Sequence, residues 1–140
     1  MLIITLLTDS GSRDSDAGVL HGVIRSICPQ EVIVDLSHDV SPQDVHGAAF
    51  VLHTAYPFLP GDTIHVVVVD PELGGTPRAI AVQTVRGTLV APGNGALSYA
   101  FAREERSTAV QLTEPRCWLA PLSRSFHGRD RLAPDAAYLA

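Results

Sequence analysis

The stretch from Thr63 to Gly75, TIHVVVVDPELGG, constrains the fold more than any other part of the chain. Ile64, Val66, Val67, Val68 and Val69 form a short β-branched apolar run. That is the pattern of a strand buried on both faces of a sheet, not of one with a wet face. The run stops at Asp70-Pro71, and Gly74-Gly75 follow. A buried strand ending in a carboxylate and a Pro/Gly turn places an acid at the carboxyl end of a central strand, the edge where open α/β sheets bind ligands. The competing reading is local, because an Asp side chain commonly starts a turn.

The flanking sequence supplies the rest of such a sheet. Leu2 to Leu7 predicts a second buried strand, running into Thr8-Asp9-Ser10-Gly11. Val19, Val23 and Ile27 fall at helical spacing and predict a helix over 18–27, stopped by Pro29. Val32 to Leu36 predicts a strand that ends in Ser37-His38-Asp39. Ser41 is placed to cap a helix with Pro42 at its first position, running to about Tyr56.

Beyond the central strand, Ala79 to Val85 and Thr88 to Ala91 flank Arg86-Gly87, a β-hairpin pattern. Pro92-Gly93-Asn94-Gly95 predicts a loop, Ala96 to Arg103 a short helix and Thr108 to Leu112 an edge strand. Glu114 to Ser125 reads as irregular, and the closing APDAAYLA reads as helical. Strand and helix alternate, so the expected fold is α/β. The expected architecture is a three-layer sandwich with a mainly parallel central sheet and a β-hairpin, in one domain over 1–140.

Composition removes several classes of function. Apolar residues make up 46% and charged residues 18% of the 140, the balance of a folded globular chain. The formal net charge is −5 and no basic patch is evident, which argues against a nucleic-acid partner. All ten basic residues are Arg, so neither a Schiff-base lysine nor a P-loop lysine is available. No stretch approaches the roughly 20 apolar residues of a membrane span. MLIITLL reads as a strand and not a signal peptide, because it lacks a basic flank and Asp9 ends it. Cys28 and Cys117 sit in no metal-like spacing, so buried, reduced cysteines of a cytoplasmic protein are expected.

Three acids, Asp9, Asp35 and Asp70, end or nearly end strand candidates. On parallel neighbouring strands they gather at one edge, where a carboxylate can accept from two hydroxyls of a sugar diol. Turn capping is the alternative for each. His38 is a candidate metal ligand, base or packing residue, while His21, His46 and His53 fall in helix candidates and read as surface or interface residues. A zinc site would need His38, Asp70 and His127 brought together by the fold. FHGRD, Phe126 to Asp130, puts His127, an Arg and an Asp around Gly128 in one short turn that can present an imidazole to a pocket. No nucleophile elbow and no Cys/His pair is present, which argues against covalent catalysis.

Taken together, the motifs resemble one family. Thr8-Asp9-Ser10-Gly11, Ser26-Ile27-Cys28-Pro29, Val34 to His38, Pro42 to Val45, His65 to Pro71, Pro92 to Gly95 and Phe126 to Asp130 occur in the order found in the S-adenosylmethionine (SAM) hydroxide adenosyltransferases, or SAM hydrolases. These are relatives of the SAM-dependent fluorinases and chlorinases. The resemblance covers nearly the whole chain and implies hydrolysis of SAM to adenosine and methionine. It implies that Asp70, Arg78 and His127 act on the attacking water, that Asp9 holds the ribose hydroxyls, and that Asn94 and Gly128 lie near the ligand. Gly128 matches the small residue of the hydrolases where fluorinases carry a serine, and Asp70 stands where the halogenases lack an acid. No cofactor or metal is implied beyond SAM as substrate.

The chain departs from the family pattern in places. The family turn reads like DPGVGTxRR, with the first Arg catalytic, whereas here it is DPELGGTPR. Ungapped, Pro77 takes the first Arg position; Arg78 either replaces it through a one-residue shift or is the second, structural Arg. Ser10 and Asp16 stand where aromatic residues are usual. Family members also carry a second, mostly β domain and assemble as trimers. The expectation is therefore an N-terminal domain without that C-terminal β domain, forming a homotrimer or requiring the second domain in trans. An inactive SAM- or adenosine-binding domain, or a truncated fragment, is the alternative, and a metal-dependent hydrolase built on His38, Asp70 and His127 is a third.

Overall fold

The computed structural model describes residues 2–69, 78–104, 107–118 and 128–140. The order of elements is β1 (Ile3–Thr8), α1 (Asp16–Ile27), β2 (Val32–Ser37), α2 (Val45–Ala55), β3 (Ile64–Val68), β4 (Ala79–Thr84), β5 (Gly87–Pro92), α3 (Ser98–Arg103), β6 (Ser107–Leu112) and α4 (Ala133–Leu139). A π-helical turn, Gly128–Leu132, leads into α4. Among the described residues, no helix is long and apolar enough to cross a membrane.

The strands form one mixed six-stranded sheet in the order β2-β1-β3-β5-β4-β6. β1 is parallel to both β2 and β3, and β3 is parallel to β5. β4 is antiparallel to β5, with which it connects through Val85-Arg86, and antiparallel to β6 on its other side. Gly87 opens β5 at φ +132°, where a Cβ would sit 2.5 Å from the Thr63 carbonyl oxygen, so only glycine fits.

The Val-rich run is buried on both faces, as its sequence predicts. Val66 joins Ile4, Leu6 and Ile64 under Leu20 and Ile24 of α1 and Leu132, Ala133 and Ala136 of the α4 region. Val67 and Val69 join Leu7 under Ala48 and Leu52 of α2, with Tyr56, Ala96, Leu97 and Ala100. Successive strand residues point to opposite faces, so one run feeds both apolar clusters. Each fully buried Val or Leu contributes about 1.5–3 kcal/mol.

Helix starts differ from the sequence reading. α1 begins at Asp16, two residues before the predicted Gly18, with its acid in the first turn where the helix dipole favours it. α2 begins at Val45, not at Pro42. Gln43 takes a left-handed φ of +63°, which no helix can pass through, and Asp44 caps the helix by accepting from the Gly47 N–H at 2.9 Å. α3 begins at Ser98 and not at Ala96. Cys28 and Cys117 are free thiols, each half-buried where full burial was expected.

Candidate functional site

Parallel strands bring their carboxyl ends to one edge of the sheet. The connection from β1 goes outward to β2, and the next crosses back over β1 to β3, so the winding reverses between β1 and β3. Such a reversal opens a crevice beyond the strand ends, the general ligand position in α/β sheets. β1 ends at Thr8, which puts Asp9 directly at this edge. β3 ends at Val68, followed by the buried Val69. Asp70, the next residue, lies outside the described residues, as does His127.

Asp9 is part of the loop architecture. Its Oδ2 accepts the Gln43 backbone N–H at 2.7 Å, and this bond holds Gln43 in its left-handed conformation. Turn capping and ligand binding are compatible here, because a carboxylate has a second oxygen and spare lone pairs.

Asn94 is committed to the backbone on both sides. Its Nδ2 donates to the Val69 carbonyl at 2.8 Å, and its Oδ1 accepts from the Ala96 N–H at 3.1 Å. The neighbouring Gly93 N–H donates to the Arg78 carbonyl at 2.6 Å. Arg78 is exposed and sits directly before β4, at the end where Ala79 pairs with Pro92. The Pro92 to Gly95 loop therefore joins the end of β3 to the start of β4, so Arg78 and Asn94 lie at one edge. Gly128 opens the π-helical turn, which packs against β3, β5 and α4.

Asp35 does not join a carboxylate cluster at that edge. It lies inside β2, opposite Leu6 of β1, and its Oδ1 lies 2.8 Å from His38 Nε2 and 2.9 Å from His21 Nε2. Burial opposes ionisation, but the hydrogen bonds from His21 and His38 outweigh it and hold the Asp35 carboxyl below its usual range. His38 is 7% exposed, and its Nδ1 is 2.7 Å from Thr8 Oγ1. The Gly11 N–H donates to the His38 carbonyl at 2.7 Å, so this trio also braces the loop that carries Asp9. The sequence reading placed His21 at the surface and missed it as a partner of Asp35. The available signal was an imidazole on the helix that returns β1 to β2.

Other buried polar groups are structural. Thr5 and His65 are paired neighbours on β1 and β3, with Thr5 Oγ1 2.7 Å from His65 Nδ1. Burial pushes the His65 imidazole down to about 4, so it is neutral at pH 7. Asp135 accepts from Trp118 Nε1 at 3.0 Å beneath an Arg131–Trp118 cation–π contact, and burial pushes its carboxyl up to about 6. An apolar groove of about 480 Å³ between α2 and α3, lined by Phe50, His53 and Tyr99, is separate from the strand edge.

The fold is an α/β domain with a winding reversal between β1 and β3, at whose edge backbone hydrogen bonds hold the loops that carry Asp9 and Asn94. Within that class the chain belongs to the SAM hydroxide adenosyltransferase N-terminal domain family, whose model matches residues 4–140. It is 43% identical over 138 residues to an (R)-S-adenosyl-L-methionine hydrolase from Salinispora arenicola, covering 98% of this chain and 52% of that protein. A fluorinase from Actinoplanes sp. is 25% identical over 161 residues, covering 99% of this chain and 54% of the fluorinase. A crystal structure of an uncharacterized conserved protein from Thermotoga maritima superposes with a TM-score of 0.93 at 35% identity, covering 97% of this chain and 54% of that one. The chain thus spans about half the length of the relatives it matches.

Proposed function

We propose that the protein containing this domain hydrolyses SAM to adenosine and methionine. The observation that carries the reading is the 43% identity to a named SAM hydrolase across nearly the whole chain, against 25% to a fluorinase. The edge geometry supports it, with Asp9 after β1 and an Asn94 clamp on the residue preceding Asp70.

In this reading a water lone pair attacks the ribose 5′ carbon in line as the carbon–sulfur bond breaks. The bonding pair leaves on sulfur, converting a sulfonium into the neutral thioether of methionine. That leaving group needs no general acid, so the site has only to position the water, partly strip its hydration and take its proton. Asp70, Arg78 and His127 are assigned to the water, Asp9 to the ribose hydroxyls, and Asn94 and Gly128 to the ligand surroundings. The Asn94 contacts favour a positioning role, since both ends of its amide serve the backbone.

We further read the domain as a three-layer sandwich with a β4–β5 hairpin. The assembled protein is read as a cytoplasmic homotrimer in which a C-terminal β domain completes the site, without a nucleic-acid or membrane partner and without a cofactor. An inactive SAM- or adenosine-binding domain is the second reading, favoured by Pro77 at the ungapped position of the family's first arginine.

The test is incubation with SAM and chromatography for adenosine and methionine against a no-protein control. Adenosine above that control, lost in His127→Ala, supports hydrolysis. SAM binding by calorimetry with no adenosine formed, even with a relative's C-terminal domain added, favours the second reading.

A further inference from the structure

We propose that His21, Asp35 and His38 form a binding site for a divalent transition-metal ion of the zinc class. Two imidazoles and one carboxylate are a donor set that zinc accepts, through nitrogen and a single oxygen. The three ligand atoms lie within 4.8 Å of one another. Both imidazoles approach the same carboxylate, His38 Nε2 at 2.8 Å from Oδ1 and His21 Nε2 at 2.9 and 3.1 Å from Oδ1 and Oδ2. Tetrahedral zinc with bonds of about 2.0–2.1 Å holds its ligand atoms roughly 3.3 Å apart. Coordination therefore requires each imidazole–carboxylate contact to open by about half an ångström, and the two imidazole nitrogens, no more than 4.8 Å apart, to settle at about the same spacing.

The supporting structure is of the kind metal sites use. His38 is nearly buried, and Thr8 Oγ1 at 2.7 Å from its Nδ1 fixes the ring orientation. Metal binding would release the proton that Nε2 shares with Asp35; the Thr8 hydroxyl can then accept from Nδ1–H while Nε2 gives its lone pair to the ion, the arrangement by which outer hydrogen bonds orient a ligating histidine. The ligands come from α1, β2 and the residue just past β2, so two are on regular elements and the third is pinned. His21 and Asp35 side chains are 33% and 42% exposed, which leaves an open side for a water ligand. The three proposed ligands are not among the residues assigned to the hydrolysis, so the two readings can be tested separately. Its placement gives it a bracing role, linking α1 to β2 and to the loop that carries Asp9.

The experiment is zinc titration by calorimetry, with thermal unfolding in parallel, on the tag-free chain at pH 7.5. Magnesium serves as the control, because it disfavours imidazole ligands. Binding of one zinc per chain is expected, with the unfolding midpoint raised by roughly 5–10 °C at a hundredfold excess over Kd. His21→Gln, a change on a partly exposed helix position, should weaken binding at least about tenfold and abolish the midpoint shift. Asp35→Asn should do the same, and each variant's metal-free midpoint reports that it folds. Absence of zinc binding, or zinc binding and a midpoint shift that survive both substitutions, would overturn the proposal and leave the trio as an ion-paired hydrogen-bond network.

Discussion

The side-chain amide nitrogen of Asn94 donates to the Val69 carbonyl at 2.8 Å, tying the loop after β5 to the last residue before Asp70. Asn94→Ala removes this bond and the one from the Ala96 N–H, costing about 1–3 kcal/mol of stability. If the proposed hydrolysis is correct, kcat falls about tenfold or more while KM for SAM changes little, because a small misplacement of the water-activating group is expensive. Steady-state kinetics with a melting curve on each sample check both. A KM-only effect would assign Asn94 to ligand binding and not to positioning.

Asp9 carries two roles that substitution can separate. Asp9→Asn keeps an oxygen able to accept from Gln43, so the fold should lose less than about 1 kcal/mol. The lost charge should weaken SAM binding about tenfold, the typical gap between charged and neutral hydrogen bonds. Asp9→Ala should lose binding and also destabilise the α2 entry, because the Gln43 N–H then loses its carboxylate acceptor at a residue held at φ +63°. Calorimetric SAM binding and denaturant unfolding distinguish the two variants.

His65 should make the domain acid-sensitive. Its folded value of about 4 lies below the unfolded value near 6.5, so the unfolded chain binds the extra proton. Its contribution is fully present above pH 6.5 and is lost as pH falls toward 4, by about 3 kcal/mol in all. His65→Leu should flatten this limb of the stability-versus-pH curve, measured by urea unfolding between pH 4 and 7. An unchanged slope would mean that another group carries it.

Asp135 acts with the opposite sign. Its folded value of about 6 lies above the ordinary carboxylate value, so the folded chain holds the extra proton. The stabilisation is complete below about pH 4 and is lost as pH rises through 6, roughly 2–3 kcal/mol in all. Asn mimics the protonated form and still accepts from Trp118. Asp135→Asn should match the parent at pH 4 and exceed its stability by about that amount at pH 8, read from unfolding midpoints at the two pH values.

The strands were legible because β-branched apolar runs specify burial locally, and the Val66-Val67 alternation between two clusters follows directly from such a run. Helix starts were less legible. Pro42 suits a first helical position, yet the Asp9–Gln43 bond imposes a left-handed residue there, and that bond joins positions 34 apart in sequence. The strand-end placement of Asp9 was readable from its apolar run, whereas the diversion of Asp35 to His21 depends on how α1 lies across β2. Side-chain partnerships of that kind arise from packing between elements, which no local pattern encodes. Cys28 and Cys117 were misjudged for the same reason, since spacing says nothing of depth.

The pairing of β1 also bears on how the chain is made. Ile4 pairs with Ile33 on one side and with Ile64 on the other. During synthesis the first partner emerges early, but the second arrives sixty positions after Ile4, about 3–12 s later at ~5–20 residues per second. For that interval one margin of the buried, apolar β1 has no native strand beside it. Parallel pairing allows no shortcut through a tight turn. The ribosome-bound chain is therefore most exposed to misassociation before Val68 is in place, and chaperone capture of the N-terminal strand would act in that window.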